Sequence, residues 1–77
     1  MPRSKGKTPP LTLLNVNRAT REELMQLPGV GPVLASRIIE ERERAPFRRV
    51  DDLTRVSGIG AKTLARLRPY VHVGEDE

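Results

Sequence analysis

Apolar residues recur every three or four positions along most of the chain, which is the spacing of one face of an α-helix. The pattern predicts an all-α fold with four main helices, over residues 20–27, 32–44, 50–56 and 61–68. The inner faces of these helices predict an aliphatic core: Leu24, Leu27, Val30, Leu34, Ile38, Leu53, Val56, Ile59, Leu64 and Leu67.

An internal repeat lies within the helical part. Residues 24–31 read LMQLPGVG, and residues 53–60, which begin 29 positions later, read LTRVSGIG. An acidic pair precedes each copy. A repeat of this length marks a supersecondary unit whose copies pack together to bury their apolar faces. We therefore expect two units, each of two helices joined by a tight hairpin, related by a pseudo-twofold axis.

Local signals support the helix boundaries. Thr20 and Glu23 have the spacing of a capping box at the start of the first helix. Pro32 suits the first position of the second helix, where its missing N–H is not needed. On the outer face of the second helix, residues four apart are expected to form two ion pairs, Arg37/Glu41 and Glu40/Arg44.

The connector and the second copy carry signals of their own. Phe47, the large apolar residue between the two units, is expected to plug the space between them. Asp51 and Asp52 fall in the first turn of the third helix, where negative charge complements the helix dipole. Tyr70 and Val71 follow the last helix and are expected to fold back onto the core.

Composition adds a charge asymmetry. The 77 residues carry a net charge of +4 and no cysteine, so no disulfide can stabilise the fold. Residues 1–21 and 55–74 contain basic but no acidic side chains. This distribution indicates an anionic partner such as DNA, although ordinary scatter of surface charge explains composition alone equally well. We expect a disordered, basic, proline-rich arm over residues 1–13, a folded domain over 14–73 and an acidic disordered tail over 74–77.

The two Gly-apolar-Gly hairpins are the candidate binding site. A tight turn running into a helix leaves backbone N–H groups unpaired, and such groups bind phosphate. The glycines let a sugar-phosphate strand approach, while the central apolar residue turns inward. The alternative is that the glycines only make a tight turn. The candidate DNA-binding residues are Gly29, Val30, Gly31, Arg37, Gly58, Ile59, Gly60, Ala61, Lys62 and Arg66.

The second hairpin is expected to contribute more binding energy than the first. Pro28 and Pro32 each remove a donor from the first hairpin. Lys62 and Arg66 lie one helical turn apart beside the second, whereas Arg37 alone holds a matching place in the first.

The first copy fits the helix-hairpin-helix pattern h-x-x-h-x-G-h-G-x-x-x-A-x-x-h-h throughout, and the second departs from it only at Leu64 and Arg68. Beyond this motif, the chain resembles the C-terminal domain of ComEA-type competence proteins at residues 15–24, 27–31, 38–42, 46–47, 50–53, 56–60 and 62–64. It departs from that pattern at Ala45, where a glycine usually precedes the Pro-Phe pair.

The resemblance implies a tandem helix-hairpin-helix, or (HhH)2, domain of four to five short helices with a SAM-like fold. It implies reception of double-stranded DNA during natural transformation, on the outer face of the cell and anchored to the membrane. A competence role would therefore make the domain extracytoplasmic, and another role cytoplasmic. The resemblance gives the DNA-contacting role to Gly29, Gly31, Gly58, Gly60 and Lys62. It also allows a weakly bound Na⁺ or K⁺ at a hairpin.

Enzyme chemistry is not indicated. His72 is the one histidine, and it has no cysteine or clustered carboxylate near it in the sequence. No nucleophile–base pair, nucleotide-binding loop or run of about 18 apolar residues that could cross a membrane is present. We expect a monomer that binds double-stranded DNA without sequence preference, needs no cofactor, and contacts other DNA-uptake proteins. The alternative is an adaptor for protein–protein contacts, or an appendage of a DNA repair or recombination complex.

Overall fold

A computed structural model describes residues 13–74. In chain order, its elements are strand β1 (Leu14–Asn15), helices α1 (Arg21–Leu24) and α2 (Pro32–Arg44), a 3₁₀ helix (Val50–Arg55), helix α3 (Ala61–Leu67), a 3₁₀ helix (Arg68–Tyr70) and strand β2 (Val71–His72). The fold is mostly helical, which confirms the predicted class. The predicted arm and tail lie almost entirely outside the described residues.

Two of the four predicted helices are shorter or tighter than expected. Helix α2 has the predicted bounds, but α1 ends at Leu24, and the prediction of helix to residue 27 was wrong. After Leu24 the chain makes a 3₁₀-type hydrogen bond, in which the N–H of Leu27 donates to the carbonyl of Leu24 three residues earlier. The third segment is a 3₁₀ helix, closed by the same kind of bond from Val56 to Leu53. Short segments running into a hairpin commonly take this tighter form.

A two-stranded parallel ladder joins the two ends of the domain and was not predicted. Leu14 pairs with Val71 and Asn15 with His72, and the N–H of Val16 extends the ladder to the carbonyl of His72. A strand of two residues is too short to show the alternation that identifies strands in a sequence. The ladder brings the segment before α1 against the segment after the last helix.

The core is aliphatic around a single buried aromatic ring. Nine of the ten predicted core residues are buried, and Leu34 is half-buried at the edge. Phe47 is 2% exposed and Val71 is buried, as expected, but Tyr70 is 43% exposed, so its predicted return to the core was wrong. The buried hydrophobic residues are Val16, Ala19, Leu24, Leu27, Val30, Ala35, Ile38, Phe47, Leu53, Val56, Ile59, Leu64, Leu67 and Val71.

Side-chain hydrogen bonds hold the connector and both ends of the described segment. The Asn17 amide accepts from the N–H of Phe47 and donates to the carbonyls of Phe47 and Val73. One nitrogen of the Arg42 guanidinium donates to the carbonyls of Val16 and Ala19. These bonds satisfy backbone carbonyls that lie outside regular structure, which would otherwise be costly to bury.

The expected ion pairs on α2 do not form. Glu41 pairs instead with Arg44, three residues on, and with Arg55 from the 3₁₀ helix. The Arg55 guanidinium also stacks 4.7 Å from the centre of the Phe47 ring and donates to the carbonyl of Ala45. Arg55 is held beside the connector by Ala45 and Phe47, and there it pairs with Glu41. Helical spacing alone does not predict this tertiary contact.

Candidate nucleic-acid interface

The two hairpins have the same backbone structure. In each, the apolar residue between the glycines donates its N–H three residues back, from Val30 to Leu27 at 3.1 Å and from Ile59 to Val56 at 3.0 Å. The last glycine then caps the following helix, with φ −102° and ψ −169° in the first copy and φ −103° and ψ −167° in the second. The sequence repeat is therefore a structural repeat, while its pseudo-twofold axis stays a prediction.

Val30 and Ile59 anchor the hairpins from inside. Their side chains are 5% and 3% exposed, and their N–H groups are used within the turns. The inward orientation was expected, but neither residue has an N–H left to offer a phosphate.

The two glycines of each hairpin have different roles. Gly29 and Gly58 have φ values of 80° and 103°, a backbone conformation that side chains disfavour, so the turn itself requires them. A Cβ on Gly58 would also lie 3.1 Å from Cδ1 of Leu34. Gly31 and Gly60 have an extended φ that any residue can adopt, and a Cβ on either would meet no atom within 4 Å. The fold of residues 13–74 therefore does not explain why these two positions lack side chains.

The second hairpin presents a row of backbone donors. The first intrahelical bond of α3 runs from the N–H of Leu64 to the carbonyl of Gly60. The N–H groups of Gly60, Ala61 and Lys62 therefore precede the helical ladder, and within residues 13–74 none of them makes a backbone hydrogen bond. Gly60, Ala61 and Lys62 are exposed. In the first hairpin the residue equivalent to Ala61 is Pro32, which has no N–H.

Basic side chains flank the second hairpin from two helices. Lys62 and Arg66 are exposed on α3 and form no ion pair with any residue in the range 13–74. Arg37, from α2, donates through Nη1 to the carbonyl of Ser57 at 3.0 Å and lies against Gly58. The sequence placed Arg37 with the first hairpin, but the structure brings its guanidinium to the second. Helical spacing gave no signal for this contact, because it joins residues 20 positions apart.

Capping side chains hold the segments that lead into both hairpins. Thr20 and Glu23 form the predicted capping box of α1, each side chain accepting from the other's backbone N–H. Asp52 accepts from the N–H groups of Arg48 and Arg49 at the start of the 3₁₀ helix. The hydrogen bond from Arg48 is the largest cause that lowers the pKa of Asp52, with smaller contributions from the N–H of Arg49 and the charge of Arg55.

Residues 13–74 contain no group of three or more His, Cys, Asp or Glu side chains that could hold a metal ion. None of the helices in that range has the length and apolarity needed to cross a lipid bilayer.

The sequence of this chain is similar to those of known proteins. A family model described as the helix-hairpin-helix motif matches residues 11–72. ComE operon protein 1 of Bacillus subtilis (strain 168) is 44% identical over 62 residues, which are 79% of this chain and 30% of that protein. Endonuclease/exonuclease/phosphatase family domain-containing protein 1 of Homo sapiens is 50% identical over 56 residues, which are 71% of this chain and 10% of that protein. The similarity to ComE operon protein 1 confirms the resemblance seen in the sequence, and the chain spans less than a third of either relative.

Proposed function

This chain belongs to the helix-hairpin-helix family, and on that premise we propose that it is a non-enzymatic module that binds double-stranded DNA through backbone contacts to phosphate. Membership of this family and the similarity to ComE operon protein 1 support DNA binding. The finer proposal is that the hairpin N–H groups make the contacts, and it is supported by the geometry of the two hairpins.

The observation that carries the mechanism is the pair of glycines that the fold does not need. Gly31 and Gly60 sit at the exposed end of each hairpin with ordinary backbone angles and open space around them. If the glycines served only the turn, Gly29 and Gly58 would be sufficient. An approaching sugar-phosphate strand explains the missing side chains, because it needs close access to the neighbouring N–H groups.

The proposed contacts do not read base sequence. Backbone N–H groups and the Lys62 and Arg66 side chains bind phosphate oxygens, which are the same at every base pair. With few aromatic side chains, the domain has few platforms for stacking the bases of a single strand. We therefore propose binding to duplexes of any sequence, by a monomer, with the second hairpin contributing more than the first.

The cellular role is a further step. By its likeness to ComE operon protein 1 we propose that the domain receives DNA during uptake, outside the cytoplasm and beside other uptake proteins. A second candidate is an attached module of a different DNA-processing complex or an adaptor. The match to 10% of an endonuclease/exonuclease/phosphatase family domain-containing protein favours this second candidate, because it shows the module within a protein of another kind.

Salt-dependent binding tests the proposal. If about four phosphates are neutralised, a plot of log affinity against log salt should have a slope of about −3.6 for any duplex, so a fourfold rise in salt weakens binding on the order of 100-fold. Lys62→Ala and Arg66→Ala should each reduce the slope by about one. A strong preference for one sequence or for single strands would contradict backbone recognition. Retention of wild-type affinity by both variants would favour the adaptor.

A further inference from the structure

The first hairpin lacks the cation that follows the second. Val33 occupies the place of Lys62 in the 29-residue repeat, and its side chain is 64% exposed. Arg37, the remaining basic residue of the first hairpin's own helix near this end, is hydrogen-bonded to Ser57 of the second hairpin. A strand lying along the first hairpin would therefore meet an apolar surface and few donors from α2 itself.

An arginine from the preceding helix lies beside this place. Arg21, the first residue of α1, donates its Nε–H to Oγ of Ser36 on α2 at 3.2 Å. An open depression in the surface lies next to this contact, and its lining residues are Arg21, Pro32, Val33, Ser36, Arg37 and Glu40. Because Pro32 directly follows Gly31, the depression begins where the first hairpin ends.

We propose that Arg21 is a further DNA-contacting residue, which supplies the phosphate contact that Val33 cannot make at the first hairpin. The guanidinium has five N–H donors in a planar arrangement suited to phosphate. Ser36 takes one of them and fixes the side chain along α2, and no residue in the range 13–74 forms an ion pair with the others. The two arginines outweigh the single carboxylate of Glu40, so the lining carries net positive charge.

This inference rests on the proposed function, since it assigns one more residue to the same surface. Its structural alternative is that the Arg21–Ser36 bond only ties α1 to α2. The two roles differ in what they change. A tie between helices affects melting temperature, whereas a phosphate contact affects the salt dependence of binding.

The test is fluorescence anisotropy of a labelled duplex with the whole chain at several salt concentrations. Arg21→Gln should reduce the log–log slope by about one and weaken binding about fivefold at 0.15 M salt. Arg21→Lys keeps the charge and should keep the slope. Arg44→Gln is the matched control, because Arg44 lies at the other end of α2, about 18 Å from Pro32. It should leave the slope unchanged.

Equal salt slopes for Arg21→Gln and Arg44→Gln would overturn the assignment. A salt slope in Arg21→Lys that is reduced as much as in Arg21→Gln would also overturn it. Lys62→Ala, measured in the same series, separates this inference from the proposed function. If Lys62→Ala reduces the slope and Arg21→Gln does not, only the role of Arg21 fails. If neither variant changes the slope, the proposed function fails with it.

Discussion

Replacing Gly60 with serine should keep or slightly raise the stability of the fold but weaken DNA binding. Gly60 caps α3 with extended backbone angles, and a Cβ there meets no atom within 4 Å. Serine is a better N-cap than glycine by a few tenths of a kcal/mol, because its hydroxyl accepts from an N–H of the first turn. We therefore expect Gly60→Ser to melt at or slightly above the temperature of the wild type.

The same substitution should weaken DNA binding. If the proposed mechanism holds, its side chain obstructs the approach of a phosphate to the exposed N–H groups of Gly60, Ala61 and Lys62. Loss of one hydrogen bond to a charged group costs about 1.5–3 kcal/mol, which corresponds to about 10- to 150-fold in affinity. Because no charge is removed, the salt slope should stay near that of the wild type. Gly60→Val, with a bulkier side chain and no hydroxyl, should bind no better than Gly60→Ser.

Fluorescence anisotropy with a duplex measures the affinity, and thermal circular dichroism measures folding in parallel. Gly31→Ser is the matched variant in the first hairpin and should weaken binding less, because Pro32 supplies no N–H there. Gly58→Ala is the contrasting control, since its positive φ and its contact with Leu34 should lower the melting temperature. A folded Gly60→Ser that binds like the wild type would refute the reasoning.

Three further predictions concern packing, acid stability and the asymmetry of the hairpins. Ile59→Ala should cost about 2–4 kcal/mol, measured by chemical denaturation, because it empties a buried anchor; an unchanged midpoint would show that the anchor carries no packing energy. The pKa of Asp52 is lowered mainly by the N–H of Arg48, so the stability that this carboxylate contributes is present above the ordinary aspartate pKa of 3.8 and is lost as pH falls through the lower pKa of the folded state. Asp52→Asn should therefore flatten the acid side of the melting-temperature profile, and a profile identical to that of the wild type would contradict this cause. Val33→Lys, which copies Lys62 into the first hairpin, should steepen the salt slope by about one; an unchanged slope would mean that no phosphate passes that position.

The repeat and the helical spacing were sufficient to predict the class of the fold, the bounds of α2 and nine of the fourteen hydrophobic residues that are buried within residues 13–74. They carried this information because the same hairpin occurs twice with the same apolar positions. The roles of Thr20 and Phe47 were predictable for a similar reason, since each depends on neighbours close in sequence or on size and position. These features could be predicted from the sequence because each of them depends on local residue spacing or on burial.

Long-range contacts of polar side chains could not be predicted. Arg37 reaches the carbonyl of Ser57, and Glu41 pairs with Arg55, because tertiary packing brings these residues together from distant parts of the chain. The β-ladder at the two ends of the described segment could not be predicted either, because strands of two residues are too short to show alternation of apolar and polar positions. For the candidate site, the sequence identified the hairpins, but only the backbone angles distinguish Gly29 and Gly58, which the turns need, from Gly31 and Gly60, which they do not.

The most direct test of backbone recognition is an NMR titration of the ¹⁵N-labelled chain with a short duplex. Backbone N–H contacts to phosphate should move the amide signals of Gly60, Ala61 and Lys62 most, with a smaller change at Gly31. The same amides should respond to duplexes of unrelated sequence. Binding that leaves these amide signals in place while signals elsewhere on the surface move would contradict the hairpin mechanism.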